Sequence, residues 1–232
     1  MTEQRSIGRL IGVFLIAQIV GGGVVNFMLF APVITPPGFL VNAAANSLQL
    51  SVSVLIGFVT AAISVAIAIA VLPIFRNYSH ALAHWLLALA IAGFALAAVE
   101  QSSVLSMLSL SKAYTQAEHA DETTYQALRG VVAASRNWAH YTNLFIVGGM
   151  FLVLYSLLYR FALIPRALAI FGLVAVILQM IAVAMPFFGH RIVMWMILPM
   201  GLSHLLLALW LTARGFEQPP TRMAAGTAGA GG

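Results

Sequence analysis

The 232-residue chain has no cysteine, a single lysine and only six acidic residues, and each shortage closes off a class of function. Without cysteine there is no disulfide, no thiolate metal site and no cysteine nucleophile, and the redox compartment leaves no mark on the sequence. Lys112, the one lysine, reads as a loop residue, which excludes a retinal-type Schiff base within a span. Charged residues make up 7% of the chain, where soluble domains carry ~25%. The pI near 10.1 therefore reflects a handful of arginines rather than a nucleic-acid surface, and no nucleic-acid partner is expected. Also missing are a phosphate-binding glycine loop, a Gly-x-Ser-x-Gly elbow and a paired acidic metal motif.

What fills the chain instead is apolar: 62% hydrophobic residues and a mean hydropathy of +0.99. A soluble domain of this size has too little interior to hide that much apolar surface, so the lipid bilayer is the expected solvent. The fold class read from the pattern is all-α, a polytopic membrane bundle of six transmembrane helices. The clearest span, 141–159, carries no charge and approaches the ~20 residues needed to cross ~30 Å of hydrocarbon. The others fall near 10–30, 48–75, 81–99, 168–187 and 192–212. Residues 1–216 are expected to form one domain and 217–232, small and Gly-rich, a flexible tail.

Punctuation within the spans carries further expectations. Pro32, Pro36, Pro37 and Gly38 should end the first span and open an uncharged loop. Gly21, Gly22 and Gly23 should let a neighbouring backbone approach. Pro199 should kink the sixth span. Between the third and fourth spans, Asp121, Glu122, Gln126, Arg129, Ala133, Arg136 and His140 recur in steps of three and four beside an apolar stripe of Tyr125, Leu128 and Val132. This predicts an extracytoplasmic amphipathic helix that lies on, or leads into, the fourth span. Arg5, Arg9, Arg76, Arg160, Arg166, Arg214 and Arg222 fall on one side of such a bundle, against Lys112, Arg129, Arg136 and Arg191 on the other. The positive-inside bias then puts both termini in the cytoplasm of a multi-pass inner-membrane protein.

Polar residues at membrane depth are costly and mark functional candidates. Asn26, Gln49, Glu100, Gln101, Arg136, His140 and Asn143 all fall at one depth, in the outer third, and come from the first four spans. Arg136, His140 and Asn143 share a helix face, being four and three apart. Glu100, the only carboxyl group within the spans, should point into the bundle toward that face. These seven residues are the candidate ligand-binding set, for a molecule whose polar head meets them while apolar walls hold its body. No residue stands out as catalytic. His80 and His84 are four apart but have no third ligand at suitable spacing, so no metal is expected. His204 and His84 differ in depth, which argues against haem, and no cofactor is expected.

Two segments, Tyr159 to Gly172 and His204 to Phe216, resemble the domain-of-unknown-function 4386 family of bacterial integral membrane proteins. The Leu163-Ile164-Pro165-Arg166 turn, the Ala208-Leu209-Trp210 run and Arg214-Gly215-Phe216 carry the resemblance. It implies architecture and supplies no activity and no catalytic residue. The first functional reading is a membrane protein that binds an amphiphilic or lipid-like molecule, or a protein partner, through an outer-side polar pocket. The alternatives are a small secondary transporter, which needs a polar path past Gln179 to His204, and a membrane enzyme acting on a lipid headgroup with Glu100 or His140 as acid or base.

Overall fold

In hydrocarbon a backbone must satisfy its own hydrogen bonds, and these long apolar runs do so as helices. The computed structural model describes residues 2–117 and 121–217, with no strand among them. Helix α1 (Thr2–Gly23) continues through a π-helical stretch (Val24–Phe30) into α2 (Ala31–Ile34), and a short α3 (Phe39–Ala45) follows. The remaining helices are α4 (Ser47–Arg76), α5 (His80–Gln116), α6 (Glu122–Arg160), α7 (Arg166–Ala184) and α8 (Leu198–Arg214), with 3-10 turns at Met185–Phe188 and Met194–Met196. Six of these units are long and apolar enough to cross a membrane, which makes the chain a multi-pass membrane protein. The expected tail beyond Glu217, and Glu118 in the link between α5 and α6, lie outside the described residues.

The spans follow one another around a ring: α4 packs on α5, α5 on α6, α6 on α7 and α7 on α8. The ring closes where α1 fits between α8 and α4. Large apolar side chains point outward, as lipid requires; Ile170, Val174, Ile177 and Ile181 make such a stripe along α7. Aromatic residues mark the two interfaces. On α6, the exposed Trp138 and Tyr159 stand 21 residues apart, about 32 Å, which matches the hydrocarbon thickness. Trp138 stacks on Phe187 of the Met185–Phe188 turn, so two neighbouring spans meet the same interface.

Beyond Trp138 the two longest helices project together. The predicted amphipathic helix is the first part of α6 itself rather than a separate element, and it pairs with the end of α5 as a helical hairpin. Tyr114 lies edge-on to Tyr125, the Tyr114 hydroxyl donates to Glu122 at 2.8 Å, and the Tyr125 hydroxyl donates to the Ala113 carbonyl. Asp121 caps α6 by accepting from the Thr123 N–H and the Thr124 hydroxyl. The Thr124 bond is the main reason its carboxyl titrates below the usual range. Lys112 lies within α5 and not in a loop, because this hairpin extends the helix past it.

The opposite end is packed backbone to backbone. A methyl group at Gly8 would overlap the backbone of Gly215 and Phe216, and one at Gly12 would overlap that of Thr212. These two glycines, four apart on α1, let α8 approach it closely. Gly215, at φ +70, turns the chain over Arg5 so that Phe216 buries against Phe75. The Glu217 N–H then donates to the Leu163 carbonyl at 2.8 Å. The Leu163-Ile164-Pro165-Arg166 turn and the Arg214-Gly215-Phe216 segment thus meet in space.

Three local expectations are corrected. Close approach at the triple glycine holds only for Gly21, against Thr60; Gly22 and Gly23 face open space, since α4 leans on one side of α1 alone. Pro32 does not break the first span: the helix restarts after the π stretch with Pro32 in its first turn, and the Met28 carbonyl that Pro32 cannot serve accepts from Gln49 instead. Pro199 sits likewise in the first turn of α8 and introduces no kink.

Candidate functional site

Glu100 lies on α5 about 30 Å along from His80, one turn inside the level of Trp138. A bare carboxylate there would cost several kcal/mol. Three groups of α6 meet it. His140 Nδ1 donates to Oε1 at 2.8 Å, an Arg136 guanidinium N–H donates to the same oxygen at 3.4 Å, and the Asn143 amide donates to Oε2 at 3.2 Å. A helix presents residues four and three apart on one face, which is how one carboxylate engages all three. The Arg136 guanidinium also lies over the Phe30 ring, 4.6 Å from its centre, so it is held between a carboxylate and an aromatic face. Glu100 is 8% exposed. The Arg136–Glu100 pair is charge-neutral as a unit, so neither charge stands alone at this depth.

This cluster forms one end of a cavity of about 350 Å³ inside the ring. Its walls are apolar: Phe30 and Ile19 from the first span, Ala90, Gly93 and Ala97 from α5, Leu144, Val147 and Met150 from α6. Between Arg136 and Phe151 on α6 it extends 15 residues, about 22 Å. The far end is again polar. The Gln18 amide there donates to the Thr60 carbonyl at 2.9 Å and to the Ser64 hydroxyl at 2.7 Å, and His204 stands edge-on to Phe151 with ring centres 4.0 Å apart. Beyond His204 the interior is solid: Leu154, Leu157, Leu158, Leu207 and Leu211 are all buried.

Of the seven candidate residues, Glu100, Arg136, His140 and Asn143 form one hydrogen-bonded cluster, and Gln101 and Asn26 line the same cavity. Gln49 does not reach it. Its amide donates to the Met28 and Leu29 carbonyls at 3.1 and 2.9 Å, where the π-helical stretch ends and Pro32 has no N–H to offer Met28. Asn26 bonds the Gly22 carbonyl one turn back, at 2.9 Å. Gln101 is 9% exposed and lies over Gly57, where any side chain would overlap its carboxamide; no described residue hydrogen-bonds it. Among the described residues Arg136 Nε, Asn143 Oδ1 and, away from this cavity, Trp210 Nε1 are enclosed by protein without a partner.

Sequence reasoning missed Gln18, Thr60 and Ser64. An amide in the middle of the first span was the available signal. No group of three or more potential metal-ligating side chains occurs among the described residues, and His84 Nδ1 turns back to the His80 carbonyl at 2.6 Å. Gln179 is buried on α7 but is not part of the cavity lining.

A family model described as domain of unknown function (DUF4386) matches residues 10–215, a range that runs from within α1 to the end of α8 and takes in every residue of this cavity. No curated protein and no solved structure matches the chain.

Proposed function

Because the chain belongs to the DUF4386 family, whose description carries no activity, we propose a function from the cavity: this membrane protein binds an amphiphilic, lipid-like molecule within its ring of helices. The observation that carries the reading is the cavity itself. It is long, walled by apolar side chains, and ends at a cluster of polar groups, the arrangement that suits a molecule with a head and a body.

We place the hairpin end on the outer side of a bacterial inner membrane and both termini in the cytoplasm, following the arginine asymmetry. The solid interior beyond His204 supports binding over transport, since a transporter needs a polar route onward and Gln179 stands apart from the cavity. One observation favours a second reading, an enzyme acting on a lipid headgroup. His140 is oriented through Nδ1 by a carboxylate, which leaves Nε2 as a positioned base.

The test is extraction of the full chain from native membranes into polymer-bounded discs, followed by mass spectrometry of what it retains. The wild type is expected to hold one class of amphiphile above the membrane average. Ala97→Phe, which fills the cavity from α5, should lose it. Equal lipid profiles for the two proteins contradict the reading.

A further inference from the structure

The reading above leaves the head of the ligand open, and the hydrogen-bond inventory of the cavity narrows it. The charges are already committed to each other. Glu100 Oε1 takes both Arg136 and His140, Oε2 takes Asn143, and the Arg136 guanidinium, whose charge that carboxylate balances, lies against Phe30 with its unpaired Nε enclosed by protein rather than open to the cavity. A charged head in this cavity would therefore meet no free countercharge, and its desolvation would go uncompensated. The partnerless group that opens on the cavity is of another kind. The Gln101 carboxamide, nine-tenths buried and bordering the cavity, has no hydrogen bond to any described residue. Such an amide offers two donors and an acceptor, and leaving them idle in a low-dielectric interior is costly. Gly57 is what gives it this position, because any larger residue on α4 would push the carboxamide away. Asn143 holds a second acceptor without a partner, enclosed by protein rather than open to the cavity. Its NH2 must face the carboxylate, so its Oδ1 is the atom left over, on the side of Gly93.

We infer that the cavity selects an uncharged head that both donates and accepts hydrogen bonds, a hydroxyl or a carboxamide on an apolar chain, and that Gln101 is the side chain that reads it. This rests on the binding reading, and one experiment separates the two. The chain has no cysteine, so Ala97→Cys places a unique thiol on the cavity wall and Val99→Cys, 54% exposed, a unique thiol toward lipid. In phosphatidylcholine vesicles, the rate of labelling by a small membrane-permeant maleimide is measured against decanol, decanamide, decyl methyl ether, decanoate and decylammonium at equal concentration in the membrane.

Decanol and decanamide should slow labelling at Ala97→Cys, at concentrations about tenfold below those of the ether, which accepts but does not donate, and of the two ions. None should affect Val99→Cys. In a Gln101→Met background, nearly the same volume without the amide, alcohol and ether should become equal. Decanoate or decylammonium protecting as well as decanol overturns the neutral head and leaves the binding reading intact. A tenfold preference that survives Gln101→Met removes Gln101 as its reader. Protection by none of the probes overturns the binding reading itself.

Discussion

The two ends of the ring are built on opposite principles. Where Leu163, Ile164, Phe75 and Phe216 meet, these four side chains are buried and apolar, and the glycines of α1 bring two backbones into contact, while the charged side chains of Arg5, Arg9, Arg214 and Glu217 lie at the rim around Trp210. Where Glu100 meets α6, the same six helices enclose a buried ion pair, idle amides and a cavity of about 350 Å³. The first arrangement maximises dispersion contact, the main force available between helices that lipid would otherwise solvate equally well. The second sacrifices it. A bundle needs only one tightly closed end to hold its helices in register, and the other end is then free to carry groups that are poor for stability and good for recognition.

The largest expected effect lies at the loose end and comes from its charges. Glu100→Leu strands Arg136 inside the bundle and should cost about 3–5 kcal/mol, whereas Glu100→Leu with Arg136→Met should recover most of that loss. Thermal unfolding of single and double variants in lipid discs measures both. If the single variant is as stable as the wild type, the pair is solvated and the contrast between the ends fails.

Next is the tight end. Gly12→Leu forces α1 off the Thr212 backbone and should cost about 1–3 kcal/mol, while Gly22→Leu, with open space before it, should cost almost nothing. Unfolding midpoints of the two variants sharpen the comparison on one helix. Equal losses would mean that α1 and α8 do not touch as described.

A smaller effect concerns which end faces which compartment. Reporters fused after Arg76, Arg166 and Arg214 are expected to read cytoplasmic, and one inserted at Glu122 external; active alkaline phosphatase at Arg166 would reverse the assignment. The smallest is at the tip of the hairpin. The Asp121 carboxyl is held below its usual range chiefly by the Thr124 hydroxyl, so its capping contribution is present above the unfolded carboxylate pKa and fades as pH falls through the lower folded value. Amide exchange in the first turn of α6 should quicken in acid and be insensitive to that change in Asp121→Ala.

The loose end was the more legible in the sequence. Counting 1.5 Å per residue put Glu100 at the depth of Arg136, His140 and Asn143, and spacing of four and three put those on one face, so they could meet once α5 and α6 packed together, which the long link between them does not force and the fold supplies. The tight end was hidden because its partners, Gly8 and Gly12 against Thr212 and Gly215, are some 200 residues apart in the chain, and no local pattern records which spans close a ring. Gln49 was misassigned for a related reason. Its role depends on where a π-helical stretch at Val24–Phe30 ends, and apolar sequence gives no sign of that change in register. Short α3 escaped notice too; Phe39, Leu40 and Ala43 bury against α5 in a segment that reads as loop.

The central claim is that the cavity between the Glu100 cluster and His204 is a binding site and not a packing defect. The most direct measurement is a high-resolution experimental structure of the full chain, purified from native membranes without added lipid. The account predicts continuous non-protein density along the α5 and α6 walls, with its head within hydrogen-bonding distance of Gln101. A cavity holding only water, or helices collapsed to fill it, would contradict the account.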